Sequence, residues 1–214
     1  MARLLWLGDR AVTLELPEAD AERVLGLAEE VRRLDLPGLA EIVPAMRSVT
    51  LYFDPRAAAA ETWETALTGL PAAPRRHARR RVSVPVCFDA DYAPDLPALA
   101  AAKGMTPRRF VDLFLAAPVS VRMLGFLPGF AYLGDLPEEL RTPRLVTPRA
   151  KVPAGSLAIA GANCAIYPWD SPGGWNLIGR TPIRLFDAAD AAHPTLFEPG
   201  DEVVWQEIDR FDPC

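Results

Sequence analysis

The stretch that decides the fold is VPAGSLAIAGANCAIYPW, residues 152–169, the longest run of the chain without a charged residue. Its 18 residues nearly reach the length of a membrane-spanning helix. However, two prolines, two glycines and Asn163 interrupt it, and strand-like segments lie on both sides. These interruptions predict short buried β-strands here rather than one long apolar helix.

The sequence around this run predicts more short strands separated by proline and glycine. Candidate strands are residues 82–88, 119–124, 157–160, 164–167, 175–178, 183–186 and 202–208. Many short strands with frequent turns indicate a closed or sandwiched β architecture.

Two helices are predicted between the first and second of these strands. One runs from Asp95 to about Lys103 and ends at Gly104. The other begins at Thr106-Pro107 and ends at about Ala116. Thr106 is the expected N-cap, because its hydroxyl can accept a bond from a free backbone amide and proline suits the first helical position.

The first 74 residues predict a separate small α+β sandwich. Its candidate strands are residues 3–7, 11–16, 42–43 and 49–53, and its candidate helices run from about Asp20 to Leu34 and from about Ala57 to Leu70. The order ββαββα suits two helices packed on one face of a sheet.

The basic segment between these two halves predicts a domain boundary. The predicted organisation is an N-terminal α+β domain at 1–74, a linker at 75–81 and a β domain at 82–214. The linker, RRHARRR, holds five arginines in seven residues. Such a strip could attract an acidic partner or nucleic acid. The formal net charge of −5 and the lack of interleaved aromatic residues favour a solvated linker, and argue against nucleic-acid or membrane binding.

Composition predicts a soluble cytoplasmic protein. Half of the residues are hydrophobic and 24% are charged, as in ordinary globular domains. The apolar residues 4–7 are too few for a secretory signal. Three cysteines without motif spacing fit a reducing compartment better than a disulfide framework.

The inventory of reactive side chains argues against several kinds of catalytic site. His77 and His193 are the only histidines, so a Ser-His-Asp triad and a multi-histidine zinc site are poorly supported. Ser156 lacks the glycine spacing of a nucleophile elbow. The chain has no GxxxxGK[ST] or GxGxxG motif. No metal site is expected and no catalytic residue is assigned.

The segment GFLPGFAYL, residues 125–133, combines glycines, aromatic residues and a proline. This composition favours a rigid turn that lets the backbone approach a neighbour closely. A packed corner without a binding role explains the same pattern equally well.

The segment SPGGWNLIGRTP, residues 171–182, has the composition of an anion-binding loop. The Gly173-Gly174 pair can expose consecutive amides to an anion. Arg180 offers a planar fork for carboxylate or phosphate, and Trp175 offers a flat wall. A turn followed by a core strand is the alternative interpretation.

Two cations lie between these segments, in TPRAKVPAGS, residues 147–156. Arg149 and Lys151 alternate, so an extended backbone would place them on the same face. They could hold an anionic ligand there, or they could simply be solvated.

The motifs GFLPGFAYL, TPRAKVPAGSLAIAG and IYPWDSPGGWNLIGRTP, in this order, resemble the signature series of the 5-oxoprolinase B-subunit family, also called allophanate hydrolase subunit 1. LGDRAVTLEL, EIVPAMRSVTLYFDP and VSVPVCFDADYAPDL resemble its N-terminal pattern. The family includes a Kip-type inhibitor of a sporulation histidine kinase, and it is similar to part of the carboxyltransferase region of urea carboxylase.

The resemblance implies an N-terminal α+β domain and a C-terminal cyclophilin-like β-barrel. It also implies two partners, a 5-oxoprolinase C subunit and a third, lactam-handling subunit, which together with this chain hydrolyse 5-oxoproline to glutamate with consumption of ATP. Which of the three proteins binds ATP is left open. The alternatives are a regulatory inhibitor of a sensor histidine kinase and a carboxyltransferase-like or allophanate hydrolase-related subunit.

Positions that match the family's motifs, together with Lys151 from the alternating pair of cations, supply the candidate site. The substrate- or anion-binding candidates are Arg149, Lys151, Ser171, Gly173, Gly174 and Arg180. The candidate pocket walls are Phe126, Phe130, Tyr132, Tyr167 and Trp175. We expect these residues to converge on one concave surface.

The chain departs from the family pattern at three places. Phe114 stands where the family often has histidine, Asn163-Cys164 where a Gln-Thr pair is usual, and Ala93 where a glycine is usual. The first departure removes an imidazole from the candidate chemistry and leaves the expected fold unchanged.

Overall fold

The structure is a computed structural model that describes residues 2–16, 21–57, 60–74 and 80–210. The chain divides into two compact units, Met1–Ala78 and Arg79–Cys214. Most of the predicted linker, residues 75–79, lies outside the described residues, and so does the predicted start of the first helix at residues 17–20. Within the part of the chain that is described, no helix is long and apolar enough to cross a membrane.

The first unit is a four-stranded antiparallel sheet with two helices. The sheet order is β1-β2-β4-β3. The elements are β1 (Arg3–Leu7), β2 (Ala11–Glu15), α1 (Ala21–Arg33), β3 (Leu39–Pro44), β4 (Ser48–Phe53) and α2 (Ala60–Leu67). This is the predicted ββαββα order.

Both helices of this unit bury their apolar residues in one cluster with the sheet. Val24, Leu27 and Val31 of α1 and Trp63 of α2 are fully buried there, beside strand residues of β2 and β4. The Trp63 ring stacks on Phe53 with ring centroids 4.5 Å apart. The helical spacing of these residues is therefore what directs the helices onto the sheet.

The second unit is a seven-stranded sheet with two helices and a separate two-stranded ribbon. The sheet order is β12-β9-β10-β7-β6-β13-β5, and the ribbon pairs β11 with β8. The strands are β5 (Arg81–Val86), β6 (Val119–Leu124), β7 (Ala131–Gly134), β8 (Arg149–Val152), β9 (Ser156–Ala160), β10 (Asn163–Ile166), β11 (Ser171–Gly173), β12 (Asn176–Arg180) and β13 (Glu202–Glu207). The helices are α3 (Leu96–Ala102) and α4 (Pro107–Ala116).

The two outer strands of this sheet meet and nearly close it into a barrel. Cys87 follows β5 and Arg180 ends β12, and their backbones exchange two hydrogen bonds of 2.8 and 2.9 Å. This single bridge nearly closes the sheet and covers part of the two strand edges, which are otherwise sites of unwanted pairing. The prediction of a mixed α+β chain with a closed β architecture is confirmed.

The uncharged run of residues 152–169 contains the hairpin β9–β10, with Ala160 opposite Asn163 and Leu157 opposite Ile166. Leu157 and Ile159 point into the main core, while Ala158 and Ala160 belong to a second hydrophobic cluster. Both faces of β9 are thus covered, which explains why this segment carries no charge.

Thr106 caps α4 as predicted, accepting a hydrogen bond from the amide of Arg109 at 3.2 Å. Pro107 occupies the first helical position. Gly104, with a φ of +68°, follows α3 and allows the chain to turn between the two helices.

The strand predicted at 183–186 is wrong. Among the described residues, this segment makes one isolated bridge, between Phe186 and Thr195. Pro182 cannot donate to a ladder, and the amide of Ile183 donates instead to the hydroxyl of Thr181 at 3.2 Å. This local hydrogen bond thus takes the place of the inter-strand hydrogen bonds that a strand would need.

Candidate functional site

The turn between β6 and β7 carries the GFLPGF motif and brings its backbone against a neighbouring loop. Gly129 has a φ of +81°, and a Cβ there would lie 2.8 Å from Cβ of Phe186. Phe126 has a positive φ of +74° and is 61% exposed. A bulky residue in this conformation is strained, so the surrounding turn must hold the Phe126 backbone in place.

Phe130 is the centre of an aromatic cluster in which the sequence-predicted walls meet. Its ring makes edge contacts with Phe126, Tyr132, Tyr167 and Trp175, with centroid separations of 5.0 to 6.0 Å. Phe130 itself is 2% exposed. The other four candidate wall residues therefore converge around the buried Phe130 ring.

These rings surround a cavity of about 210 Å³, called here the aromatic pocket. Its lining residues are Phe126, Phe130, Tyr132, Arg144, Pro148, Tyr167, Pro172, Gly173, Gly174 and Trp175. They come from the β6–β7 turn and β7, the residues after β10, and the loops flanking the ribbon β8–β11. The pocket is thus assembled from segments far apart in sequence.

Among the described residues that line this pocket, Arg144 is the one charged residue, and the sequence analysis did not identify it. Its guanidinium carbon lies 5.8 Å from the centroid of the Trp175 ring, within cation–π range. The sequence contains a feature that points to Arg144, because the triplet Thr-Pro-Arg occurs twice, at 142–144 and at 147–149. Only the second triplet belongs to a motif that carries the family resemblance.

The backbone on both sides of Arg144 is anchored. The carbonyl of Pro143 accepts a hydrogen bond from the side-chain amide of Asn176 at 2.8 Å. The amide of Leu145 donates to the carbonyl of Gly174 at 2.8 Å. The backbone of Arg144 is therefore held at the pocket by its neighbours, while the residue as a whole is exposed.

Arg149 lies behind the pocket wall instead of lining the pocket. Its guanidinium pairs with the carboxylate of Asp95 at 2.6 Å and donates to the carbonyl of Trp175 at 3.4 Å. Asp95 also accepts a bond from the amide of Leu177 at 2.6 Å. These contacts tie Trp175 to the start of α3.

Lys151 and Arg180 lie apart from the aromatic pocket. Lys151 pairs with Asp170 at 2.7 Å on the surface. That bond, followed by the Ala154 amide at 2.8 Å, lowers the pKa of Asp170 below its ordinary value. Arg180 donates to the carbonyl of Ala154 at 2.9 Å. The structure thus brings the predicted aromatic walls together but not the three predicted cations.

Arg180 lines a second, larger cavity of about 530 Å³. Trp169, Phe186 and Arg184 also line it, and the Trp169 indole nitrogen donates to the carbonyl of Pro128 at 3.1 Å. Tyr167 lines both cavities. The Tyr167 ring is therefore a wall that the two cavities share.

Gly173 and Gly174 line the pocket, although neither has a positive φ. An αR–αL nest for an anion needs one positive φ, so the pair does not form one. A Cβ on Gly173 would clash with the Tyr167 hydroxyl oxygen, so the close approach of Tyr167 requires a glycine at this position.

Ser171 is buried, and its hydroxyl has no hydrogen-bond partner among the described residues.

Tyr167 keeps its proton at neutral pH. Burial raises the pKa of its phenol above the ordinary value, while a backbone hydrogen bond from Trp175 and the charges of Arg144 and Arg149 act in the opposite direction. A neutral phenol can donate a hydrogen bond as well as accept one. The pocket wall therefore offers a polar group between the aromatic faces.

Gly173→Ala is expected to distort the aromatic pocket, since the added Cβ would also lie within 2.8 Å of two Tyr167 ring carbons. Overpacking of this kind costs about 1–3 kcal/mol of stability. Gly174→Ala is the matched control, because its Cβ would meet Pro148 at an ordinary 3.5 Å. Urea unfolding followed by tryptophan fluorescence tests the pair, and equal stability of the two variants would contradict this account.

Asp95→Ala is expected to lower the free energy of unfolding by about 1–3 kcal/mol, because it removes the carboxylate that pairs with Arg149 and accepts from the Leu177 amide. Asp170→Ala is the control, since Asp170 likewise pairs with a cation of β8 and accepts a backbone amide. Its side chain is 50% exposed against 17% for Asp95, so the expected loss is smaller than that of Asp95→Ala. Thermal unfolding of both variants shows which of the two loses more stability.

Comparison with known proteins gives the family. The family model "Carboxyltransferase domain, subdomain C and D" matches residues 2–197. The 5-oxoprolinase B subunit of Escherichia coli O157:H7 is 38% identical over 94% of both chains. The 5-oxoprolinase B subunit of Bacillus subtilis strain 168 is 34% identical over 96% of this chain and 92% of its own.

A solved structure is similar along most of the chain. The crystal structure of TTHA0988 superposes with a TM-score of 0.82 at 36% identity and covers 96% of this chain. The chain spans 41% of the length of that protein. By its matched domain and its identity to two relatives over most of their length, the chain belongs to the family of 5-oxoprolinase B subunits.

Proposed function

We propose that this chain is the B subunit of a cytoplasmic, ATP-dependent 5-oxoprolinase, working with a C subunit and a third, lactam-handling subunit. The observation that carries the proposal is the 38% identity to a 5-oxoprolinase B subunit over 94% of both chains. A match of that length leaves little of either chain unaccounted for, so the role of the relative is the best-supported role for this chain.

The chemistry explains why the reaction would consume ATP. A lactam carbonyl is a poor electrophile, and transfer of the γ-phosphoryl group to its oxygen, with release of ADP, makes the carbon more reactive. Water then adds to that carbon and the C–N bond breaks, leaving an acyl phosphate. A second water releases phosphate and glutamate. Cations near the phosphates and donors at the developing oxyanion are needed for these steps.

This chain is suited to binding more than to proton transfer. Of the two histidines, His193 lies within the described residues and lines neither cavity. Phe114 is fully buried in the core of the second unit, so the position where the family often has histidine faces packing instead of a pocket. We therefore assign ligand binding to this chain and the hydrolytic steps to the assembled complex.

Reconstitution tests the proposal. The chain, its partner C subunit and the lactam-handling subunit are purified separately, and ATP-dependent glutamate release from 5-oxoproline is measured for every combination. We expect glutamate and ADP in equal amounts from the three proteins together, and none from this chain alone. An assembly without this chain that releases glutamate at the full rate would refute the proposal.

A further inference from the structure

The aromatic pocket has the chemistry of a site for a small ring that carries one negative charge. Five aromatic side chains supply flat apolar walls, and its volume of about 210 Å³ is large enough for a small-molecule ring. Arg144 is the single charged residue of the lining. Aromatic walls with one convergent charged group are typical of small-molecule sites.

The guanidinium of Arg144 has no carboxylate partner among the described residues, in contrast to the other cations nearby. Arg149 is paired with Asp95 at 2.6 Å, and Lys151 with Asp170 at 2.7 Å. Arg144 instead lies over the face of Trp175. Since a guanidinium fork matches a carboxylate in a bidentate geometry, Arg144 is the cation lining the aromatic pocket that a ligand carboxylate can reach without displacing a protein carboxylate.

We propose that Arg144 binds the carboxylate of 5-oxoproline while the lactam ring lies in the aromatic pocket, and that Arg149 is a positioning residue. The inference rests on the proposed function, and names the part of this chain that meets the substrate. Tyr167, as a neutral phenol in the pocket lining, provides the hydrogen-bonding group for the lactam amide. Arg149 acts through the Trp175 carbonyl, which it holds at 3.4 Å.

Binding to the full chain is tested by calorimetric titration with 5-oxoproline and with 2-pyrrolidinone, the same ring without the carboxylate. Arg144→Ala weakens 5-oxoproline binding about 10- to 100-fold, the loss expected for hydrogen bonds between charged groups. The same substitution leaves 2-pyrrolidinone binding unchanged. Arg184→Ala is the matched control, because this exposed arginine lines the larger cavity, and it leaves both ligands unaffected.

The reconstituted assembly supplies an independent readout. Arg144→Ala raises the KM for 5-oxoproline by the same factor, with a smaller change in kcat, and Arg144→Lys restores part of the loss. Arg149→Ala weakens both 5-oxoproline and 2-pyrrolidinone, because a displaced Trp175 harms the ring site itself. A role of Arg149 in direct carboxylate binding would weaken 5-oxoproline alone.

The outcomes separate the inference from the proposed function. If the assembly releases glutamate and Arg144→Ala leaves both KM and binding unchanged, the inference is overturned and the function stands. If no combination of the three proteins releases glutamate but the isolated chain binds 5-oxoproline through Arg144, the function fails and the carboxylate site stands. Loss of binding in Arg184→Ala instead of Arg144→Ala would move the ligand to the larger cavity and overturn the assignment.

Discussion

Phe130→Ala is expected to lower the stability of the second unit by about 3–5 kcal/mol, the largest effect of any substitution considered for this protein. The ring is 2% exposed and touches four other aromatic side chains. Its removal leaves a void that Tyr167 and Trp175 can fill only by leaving their own positions, so the aromatic pocket is lost together with the packing.

Phe126→Ala is the control from the same motif. Phe126 is 61% exposed, so its loss changes stability by less than about 1 kcal/mol. Hydrogen exchange of the β9 and β10 amides tests the pair, because it reports on the second unit alone. Similar exchange in both variants would show that Phe130 is not the centre of the cluster.

Gly155→Ala is expected to cost about 2–4 kcal/mol, the sum of backbone strain and a steric clash. Gly155 has a φ of +80°, and a Cβ would meet the carbonyl oxygen of Thr181 well inside contact distance. The backbone cannot move easily, because it is held by two hydrogen bonds. The Gly155 amide donates to the backbone carbonyl of Tyr167 at 2.7 Å, and the Gly155 carbonyl accepts from the Thr181 amide at 2.9 Å.

Gly161→Ala separates the two causes. Gly161 has a φ of +58° in the β9–β10 hairpin, but a Cβ there would meet nothing within 4 Å. Strain alone then applies, with an expected cost of about 1 kcal/mol. Urea unfolding of both variants, read from tryptophan fluorescence, gives the difference. Equal losses would mean that the Thr181 contact relaxes without cost.

The local structure of the second unit could be predicted from its sequence because its patterns are local. The uncharged run at 152–169 forms the β9–β10 hairpin, and Thr106-Pro107 begins α4. The prediction failed at 183–186, where the Thr181 hydroxyl takes up an amide that a strand would have paired. It also failed to indicate β11, because Ser171-Pro172-Gly173 has no strand propensity and pairs with β8 only in the folded chain.

By itself, the sequence determined six of the seven barrel strands, the family and the aromatic composition of the pocket walls, because each depends on residue types at fixed spacing along the chain. It did not indicate β7, which begins inside the segment 125–133 that was predicted as a turn. Only the tertiary structure decided which cation faces that pocket. Arg149 forms an ion pair with Asp95, 54 positions earlier in the sequence, whereas Arg144 lies over the Trp175 ring. The physical reason is that a charged side chain pairs with the opposite charge that the fold brings within a few ångströms. The distance between two charges in the folded protein cannot be read from their spacing along the chain.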